Sequence, residues 1–218
     1  MPYKLVIATR VTEEKNAKLL YDIMINTIKW AKNQQKVDTA LSLSKAFLNM
    51  CQRIQSLNCD DALFLLGTCH YELENFELAK DMFHKACEES KDNDQLWLKI
   101  GINLAECMYS LGEFENASHQ LNEIFTRVGF IDFNRLKLEK MEIHSKIKAL
   151  AIKSKVEVAL NKFDEAKMTL AMLDDLNAKE CKVLFDKTLC YMEMGMFKKA
   201  KTILEKIWPE TDQEKGEL

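Results

Sequence analysis

Two prolines and six glycines are few for a chain of 218 residues. That shortage of breakers argues against a turn-rich fold and leaves room for long helices. Gly67, Gly101, Gly112, Gly129, Gly195 and Gly216 stand too far apart to build a phosphate-cradling loop. There is no Gly-x-Ser-x-Gly elbow and no His-Glu-x-x-His pair, so serine hydrolysis and zinc-helix chemistry lack a motif. No apolar run approaches the roughly 20 residues needed to cross a bilayer. The opening MPYKLVIATRVTEEK is too short in its apolar part, and too soon charged, for a secretory signal. A large charge excess is missing too. The net charge of −3 gives no chain-wide pull toward nucleic acid or an anionic membrane. Seven cysteines, an odd number spread along helical patterns, fit buried thiols in a reducing compartment better than a disulfide framework. The expected location is cytoplasmic, with the nucleus open.

The remaining chemical signals are thin. Asn116-Ala117-Ser118 is formally a glycosylation sequon, but its alanine falls on a helical core stripe. The terminal KGEL resembles a retention signal without the leader that would make it one. Cys69, His70, His84 and Cys87 come nearest to a metal set, yet Cys69 reads as a small buried core residue. Glu88, Glu89, His119 and His144 read as solvated surface. No metal, no cofactor and no catalytic residue is expected.

What the sequence has in quantity is a repeated cassette. In ALFLLGTCHYELENFELAKDMFHKA (62–86), Leu63, Leu66, Cys69 and Leu73 recur at helical spacing, and the turn residues Glu74 and Asn75 follow. Phe76 then opens a second helix whose Ala79, Phe83 and Ala86 share its stripe. An amphipathic stripe needs a partner face, and small Ala79 lets two helices approach closely. The spacing returns at Leu111–Phe114–Ala117–Leu121–Ile124, at Leu160–Phe163–Ala166–Leu170–Leu173 and at Met194–Phe197–Ala200–Leu204–Ile207.

Leu66-Gly67, Ala79, Phe83 and Ala86 resemble the tetratricopeptide repeat (TPR), with His70 in the usual tyrosine slot, Tyr71 after it and no terminal proline. The resemblance implies an all-α, right-handed α-solenoid of TPR-like helix-turn-helix repeats. Ala40, Ala79, Ala117, Ala166 and Ala200 are separated by 39, 38, 49 and 34 residues. The longer steps are similar to the extended repeats of kinesin light chains and Leu-Gly-Asn-repeat adaptors. The expected organisation is an N-terminal extension over 1–11 and a solenoid over 12–208. The solenoid divides into a degenerate pair (12–56) and repeats at about 60–93, 94–128, 134–177 and 178–208. A polar tail covers 209–218.

Thr12 is expected to cap the first helix, with Glu13 and Glu14 in its first turn. Leu19, Ile23, Asn26 and Trp30 follow one face of that helix, and Leu20, Met24, Ile28 and Ala31 the next. Ser44 occupies a slot that holds Phe or Leu in the later copies. Gly129 should stop one helix, and Asp132 or Asn134 should cap another that runs to Leu160. Arg135, Lys137, Lys140, Lys146, Lys148, Lys153 and Lys155 make 135–155 basic, either a solvated face or a wall for an acidic partner.

In TPR arrays the first helices of successive repeats line a groove that holds partner peptides. The resemblance places Phe64, Thr68 and Tyr71 there, then Lys99, Asn103, Glu106 and Tyr109. It adds Lys148, Ile152 and Lys155, and finally Lys182, Phe185 and Leu189. Phe64, Ile152 and Leu189 read equally as core between repeats. The clamp that binds chaperone C-termini is not matched: Asn103 and Lys148 fit singly, while Ile25 and Lys29, or Phe64 and Thr68, stand where its first Lys–Asn pair should be.

The function implied is a non-catalytic scaffold or adaptor, part of a larger assembly, that binds a protein or peptide with an acidic segment. No membrane role is expected. The alternative is an RNA- or nucleic-acid-associated helical repeat using the basic stretch 135–155. No capping helix is apparent after the last repeat, which points to self-association through the C-terminal end, docking to another subunit, or a domain that continues in a longer chain.

Overall fold

A computed structural model describes residues 2–54, 57–90, 93–127 and 143–207. Among these residues there are ten helices and no strand. They are α1 (Pro2–Asn33), α2 (Val37–Arg53), α3 (Asp60–Glu72), α4 (Phe76–Glu89) and α5 (Asp94–Ser110). Then come α6 (Phe114–Arg127), α7 (Ile143–Ala159), α8 (Phe163–Asp175), α9 (Cys181–Glu193) and α10 (Phe197–Ile207). The fold is all-α, built of TPR-like helix-turn-helix pairs. The chain forms two compact units, Met1–Leu111 and Gly112–Leu218. In the first, α1 packs on α2, α2 on α3, α3 on α4 and α4 on α5. In the second, α6 packs on α7, α7 on α8, and α9 on both α7 and α10.

The cassette alanines mark where paired helices nearly touch. Ala40, Ala79, Ala117 and Ala166 have no exposed surface, and Ala200 almost none. Downstream of them Phe83, Ala86, Leu121, Ile124, Leu170 and Leu173 are buried. Each large side chain so buried contributes about 1.5–3 kcal/mol of hydrophobic stabilisation. In α10 the stripe turns slightly: Ile203 is buried while Leu204 and Ile207 are half-buried. Gly67 allows the closest approach, since a Cβ there would lie 2.6 Å from Phe83 Cε1. Ser44 fits its buried slot because its hydroxyl donates to Ala40 O at 2.8 Å, while Phe47 supplies the missing volume.

One backbone feature repeats with the alanines. Gln35, Glu74, Gly112, Asn161 and Gly195 all have positive φ, at 57°, 59°, 77°, 58° and 70°. Their steps are the same 39, 38, 49 and 34 residues. At four of them the following amide bonds back five residues: Lys36 N–H to Ala31 O, Asn75 to His70, Lys162 to Glu157 and Met196 to Tyr191. This left-handed closure is the Schellman arrangement, which satisfies the last carbonyls of the first helix and turns the chain into the second.

The structure changes three sequence expectations. The N-terminal extension over 1–11 is not separate, because α1 is one helix from Pro2 to Asn33. Proline suits a first helical position, where its missing N–H costs nothing, and no glycine or proline follows before Gly67. Thr12 therefore lies inside a helix and is not its cap. The cassette phenylalanines also differ from expectation. Phe76 is half-buried, Phe163 is 37% exposed and Phe197 is 67% exposed, because each sits at the entry of its helix, ahead of the close approach. In α1, Ile28 and Ala31 are buried, whereas Leu19, Leu20, Ile23 and Trp30 are exposed. Gly129, Asp132, Asn134, Arg135, Lys137, Lys140 and the tail 209–218 lie outside the described residues.

Candidate functional site

The first helices of successive pairs touch directly, α1 with α3, α3 with α5, and α7 with α9. A polar ladder runs along these contacts. The Tyr21 hydroxyl donates to Asp61 Oδ2 at 2.9 Å. Lys32 Nζ donates to Thr68 Oγ1 at 2.7 Å and pairs with Glu72 Oε1 at 3.0 Å. One repeat on, Tyr71 makes the corresponding side-chain bonds to Glu106 and Ser110. The register is identical. Lys32 and Tyr71 each precede their positive-φ turn by three residues, and their partners precede the next turn by six and two. Burial and the facing Glu106 carboxylate push the Tyr71 hydroxyl well above its ordinary range, and burial with Asp61 does the same for Tyr21. Both phenols therefore stay protonated and donate to carboxylates.

The second unit replaces two core leucines with lysines. Lys153 and Lys187 take the register of Leu66 and Leu104. Lys153 pairs with buried Glu157, whose second oxygen accepts from Thr169 Oγ1 at 2.7 Å, and lies 6.0 Å from the Phe125 ring. Lys187 is 3% exposed and pairs with Asp174. Between α7 and α9, Lys155 Nζ is 3.5 Å from Asp186 Oδ1, and Cys190 Sγ donates to Ser154 Oγ at 3.8 Å. A cavity of about 370 Å³ among α8, α9 and α10 is lined by Asp174, Leu184, Lys187, Ile203 and Lys206.

The expected groove residues separate into three groups. Glu106 and Ile152 are buried, so neither lines an open surface: Glu106 answers Tyr71, and Ile152 takes its alternative place in the core. Phe64, Thr68, Tyr71 and Lys155 are half-buried and engaged within the chain. Phe64 lies 5.9 Å from the Phe83 ring, Tyr71 lies 5.3 Å from Phe76, and Lys155 faces Asp186. Lys99, Asn103, Tyr109 and Lys148 are half-buried with part of their surface in solvent. Asn103 Nδ2 donates to Lys99 O at 2.6 Å, which holds the amide against α5. Lys182, Phe185 and Leu189 are exposed on α9. The ladder pairs escaped sequence reasoning because their partners lie 35–40 residues apart and carry no local signal.

Cys69 is buried with its sulfur 3.8 Å from Ser44 Oγ, and no group of three or more metal-ligating side chains occurs among the described residues. No disulfide joins the seven cysteines. No helix of the described residues is long and apolar enough to cross a membrane. Of the basic stretch, Lys153 and Lys155 are committed to carboxylates of the chain itself, which weakens the nucleic-acid alternative.

A family model for the tetratricopeptide repeat matches residues 61–92 and 182–209, the α3–α4 and α9–α10 pairs. The chain is a tetratricopeptide-repeat protein. No curated protein matches it in sequence. Solved TPR structures share the fold at low identity. A TPR protein from Parabacteroides merdae superposes with a TM-score of 0.63 at 15% identity over 88% of this chain, which spans 66% of that protein's length. The nearly identical TPR-like repeats of a kinesin light chain-like protein from Podosopora anserina give 0.64 at 12% identity, over 88% of this chain and 93% of that one. YrrB, a TPR protein with an unusual peptide-binding site, gives 0.54 at 16% identity, over 93% and 92%. TPR proteins in general mediate protein–protein interaction and are typically non-catalytic.

Proposed function

We propose that this TPR protein is a non-catalytic scaffold or adaptor that binds a partner protein segment on the first helices of its pairs, as a subunit of a larger assembly. The observation that carries the reading is on α5. Lys99, Asn103 and Tyr109 keep surface in solvent, while Trp97, Leu98, Ile100, Ile102, Leu104 and Ala105 beside them are buried. The repeat core thus takes most apolar positions of the helix, with Leu96 half-buried, while a cation, an amide and a phenol keep part of their surface in solvent. That set suits an extended, acidic peptide: tyrosine supplies apolar area with a polar tip, and lysine attracts carboxylates. The peptide-binding site of YrrB on the same fold supports the choice. Lys148 on α7 serves the same role in the second unit, within a reducing, cytoplasmic or nuclear environment.

The test is affinity capture with the parent chain and with a Lys99→Glu/Tyr109→Ala variant of equal helicity and melting temperature. The captured protein should bind the variant at least about tenfold more weakly, since aromatic anchors cost about 2 kcal/mol or more when truncated. Equal binding by both would place the interaction elsewhere. A captured species destroyed by nuclease would favour the basic stretch and a nucleic-acid role, with affinity falling steeply in salt.

A further inference from the structure

Two apolar faces stand bare at register positions that are covered in the other pairs. The first is on α1. The residues that lie 12 and 5 before the positive-φ turn are Ala62 and Cys69 in α3, Ile100 and Cys107 in α5, and Val183 and Cys190 in α9, and all six are buried. In α3 these residues join the core of the preceding pair, alongside Ile28, Ala31, Ala40 and Phe47. The α1 counterparts are Ile23 and Trp30, exposed at 50% and 56%. The second face is on α9. Phe64, Thr68 and Tyr71 of α3 are half-buried, with Lys32 on Thr68 and α5 reached through Tyr71. Their α9 counterparts Phe185, Leu189 and Met192 are 50%, 39% and 46% exposed, and Phe197 beside them is 67% exposed. One face is therefore the side by which a pair receives its successor, and the other is the side by which a pair seats itself on its predecessor.

We propose that a second copy of this chain covers the α9–α10 face, docking the Ile23–Trp30 side of its α1 there as α3 docks on α1 within one chain. Continuity with the existing helix-to-helix contact sets the geometry. Charge agrees with it. Lys182 opens the bare α9 face, and Asp22 of the incoming copy occupies the register of Asp61, which accepts from Tyr21 across the equivalent contact. The two faces differ, so the contact is heterologous and each added copy brings a further face, in a ring or in an open head-to-tail string. Each side offers on the order of 400 Å² of apolar side chain, half of the roughly 800 Å² per partner of a standard interface. The association is accordingly weak and builds up with concentration. It goes beyond the partner-binding reading and uses neither Lys99 nor Tyr109.

Sedimentation velocity on the full chain tests it, with Leu189→Glu and Trp30→Glu as variants of exposed sites and circular dichroism to verify folding. The parent should sediment faster with rising concentration. Each variant alone should remain a monomer. An equimolar mixture of the two should form a dimer and nothing larger, because Leu189→Glu keeps the α1 face and Trp30→Glu keeps the α9 face. Should either glutamate variant unfold, Phe185→Ser and Ile23→Ser replace them in the same mixture. A parent that stays monomeric overturns the proposal. So does a mixture that stays monomeric.

Discussion

Replacing Gly67 with alanine sets two effects of opposite sign against each other. Alanine is favoured over glycine in a helix interior by about 0.8–1.0 kcal/mol. The added methyl, however, would lie 2.6 Å from Phe83 Cε1, 2.8 Å from Cδ1 and 3.1 Å from Cζ. The ring has no room to swing away, since it is fully buried and held beside Phe64 at 5.9 Å. Overpacking of this kind costs about 1–3 kcal/mol. The expected result is a net loss of about 1 kcal/mol, read by urea unfolding followed by circular dichroism. The ring is the stated cause, so Phe83→Leu should reverse the sign: in that background Gly67→Ala becomes neutral or stabilising. A double-mutant cycle isolates the coupling, which for residues in contact reaches about 0.5–3 kcal/mol. A stabilised Gly67→Ala single variant, or a cycle with no coupling, would refute the argument that glycine is there for the approach of α3 to α4.

The other predictions follow from the turn, the alanine register and one buried acid. Glu74→Gly should stabilise by about 0.5–1 kcal/mol, because it relieves a left-handed residue (φ 59°) costing about 1–2 kcal/mol and returns part as unfolded-chain entropy; a lower melting temperature would count against the turn assignment. Ala79→Arg or Ala166→Arg should cost several kcal/mol, about 3 or more, by placing a charged chain where no surface is exposed. A variant melting like the parent would show the register to be wrong. Burial pushes the Asp60 carboxyl above its ordinary range, with Asp61 and Glu89 adding to it, although the Asp61 amide donates to it at 2.8 Å. A carboxyl raised on folding contributes stability below its unfolded pKa and loses it as pH rises through the folded value. Asp60→Asn, which keeps an acceptor oxygen, should therefore melt higher than the parent at neutral pH. That advantage should vanish below the ordinary carboxylate range, and a pH-independent difference would exclude the electrostatic cause.

How much was legible in the sequence depended on whether the signal was local. The alanine steps could be read because close helix approach admits few side chains at Ala79, Ala117 and Ala166. The turns could be read only in part: Gly112 and Gly195 advertise a left-handed residue, whereas Gln35, Glu74 and Asn161 adopt it without the residue type that signals it most strongly. The start of α1 was misread because Thr12-Glu13-Glu14 has the chemistry of a cap while nothing upstream breaks the helix. Register placed Glu106 and Lys155 among the partner-binding residues, since position along a helix does not reveal which polar side chain the next helix answers. In the structure Glu106 meets Tyr71, and Lys155 meets Asp186. Leu19, Ile23 and Trp30 could be read as one face of α1, and Phe185 and Leu189 as groove positions on α9, but their complementarity needed the equivalent covered positions for comparison.

The measurement that tests the central claim most directly is hydrogen exchange on the full chain with and without its captured partner. Binding on the first helices predicts added protection in α5, with α3 beside it, and in α7 of the second unit, while the second helices α4 and α8 exchange as in the free chain. Protection confined to α4 and α8, or none in α5, would contradict the account.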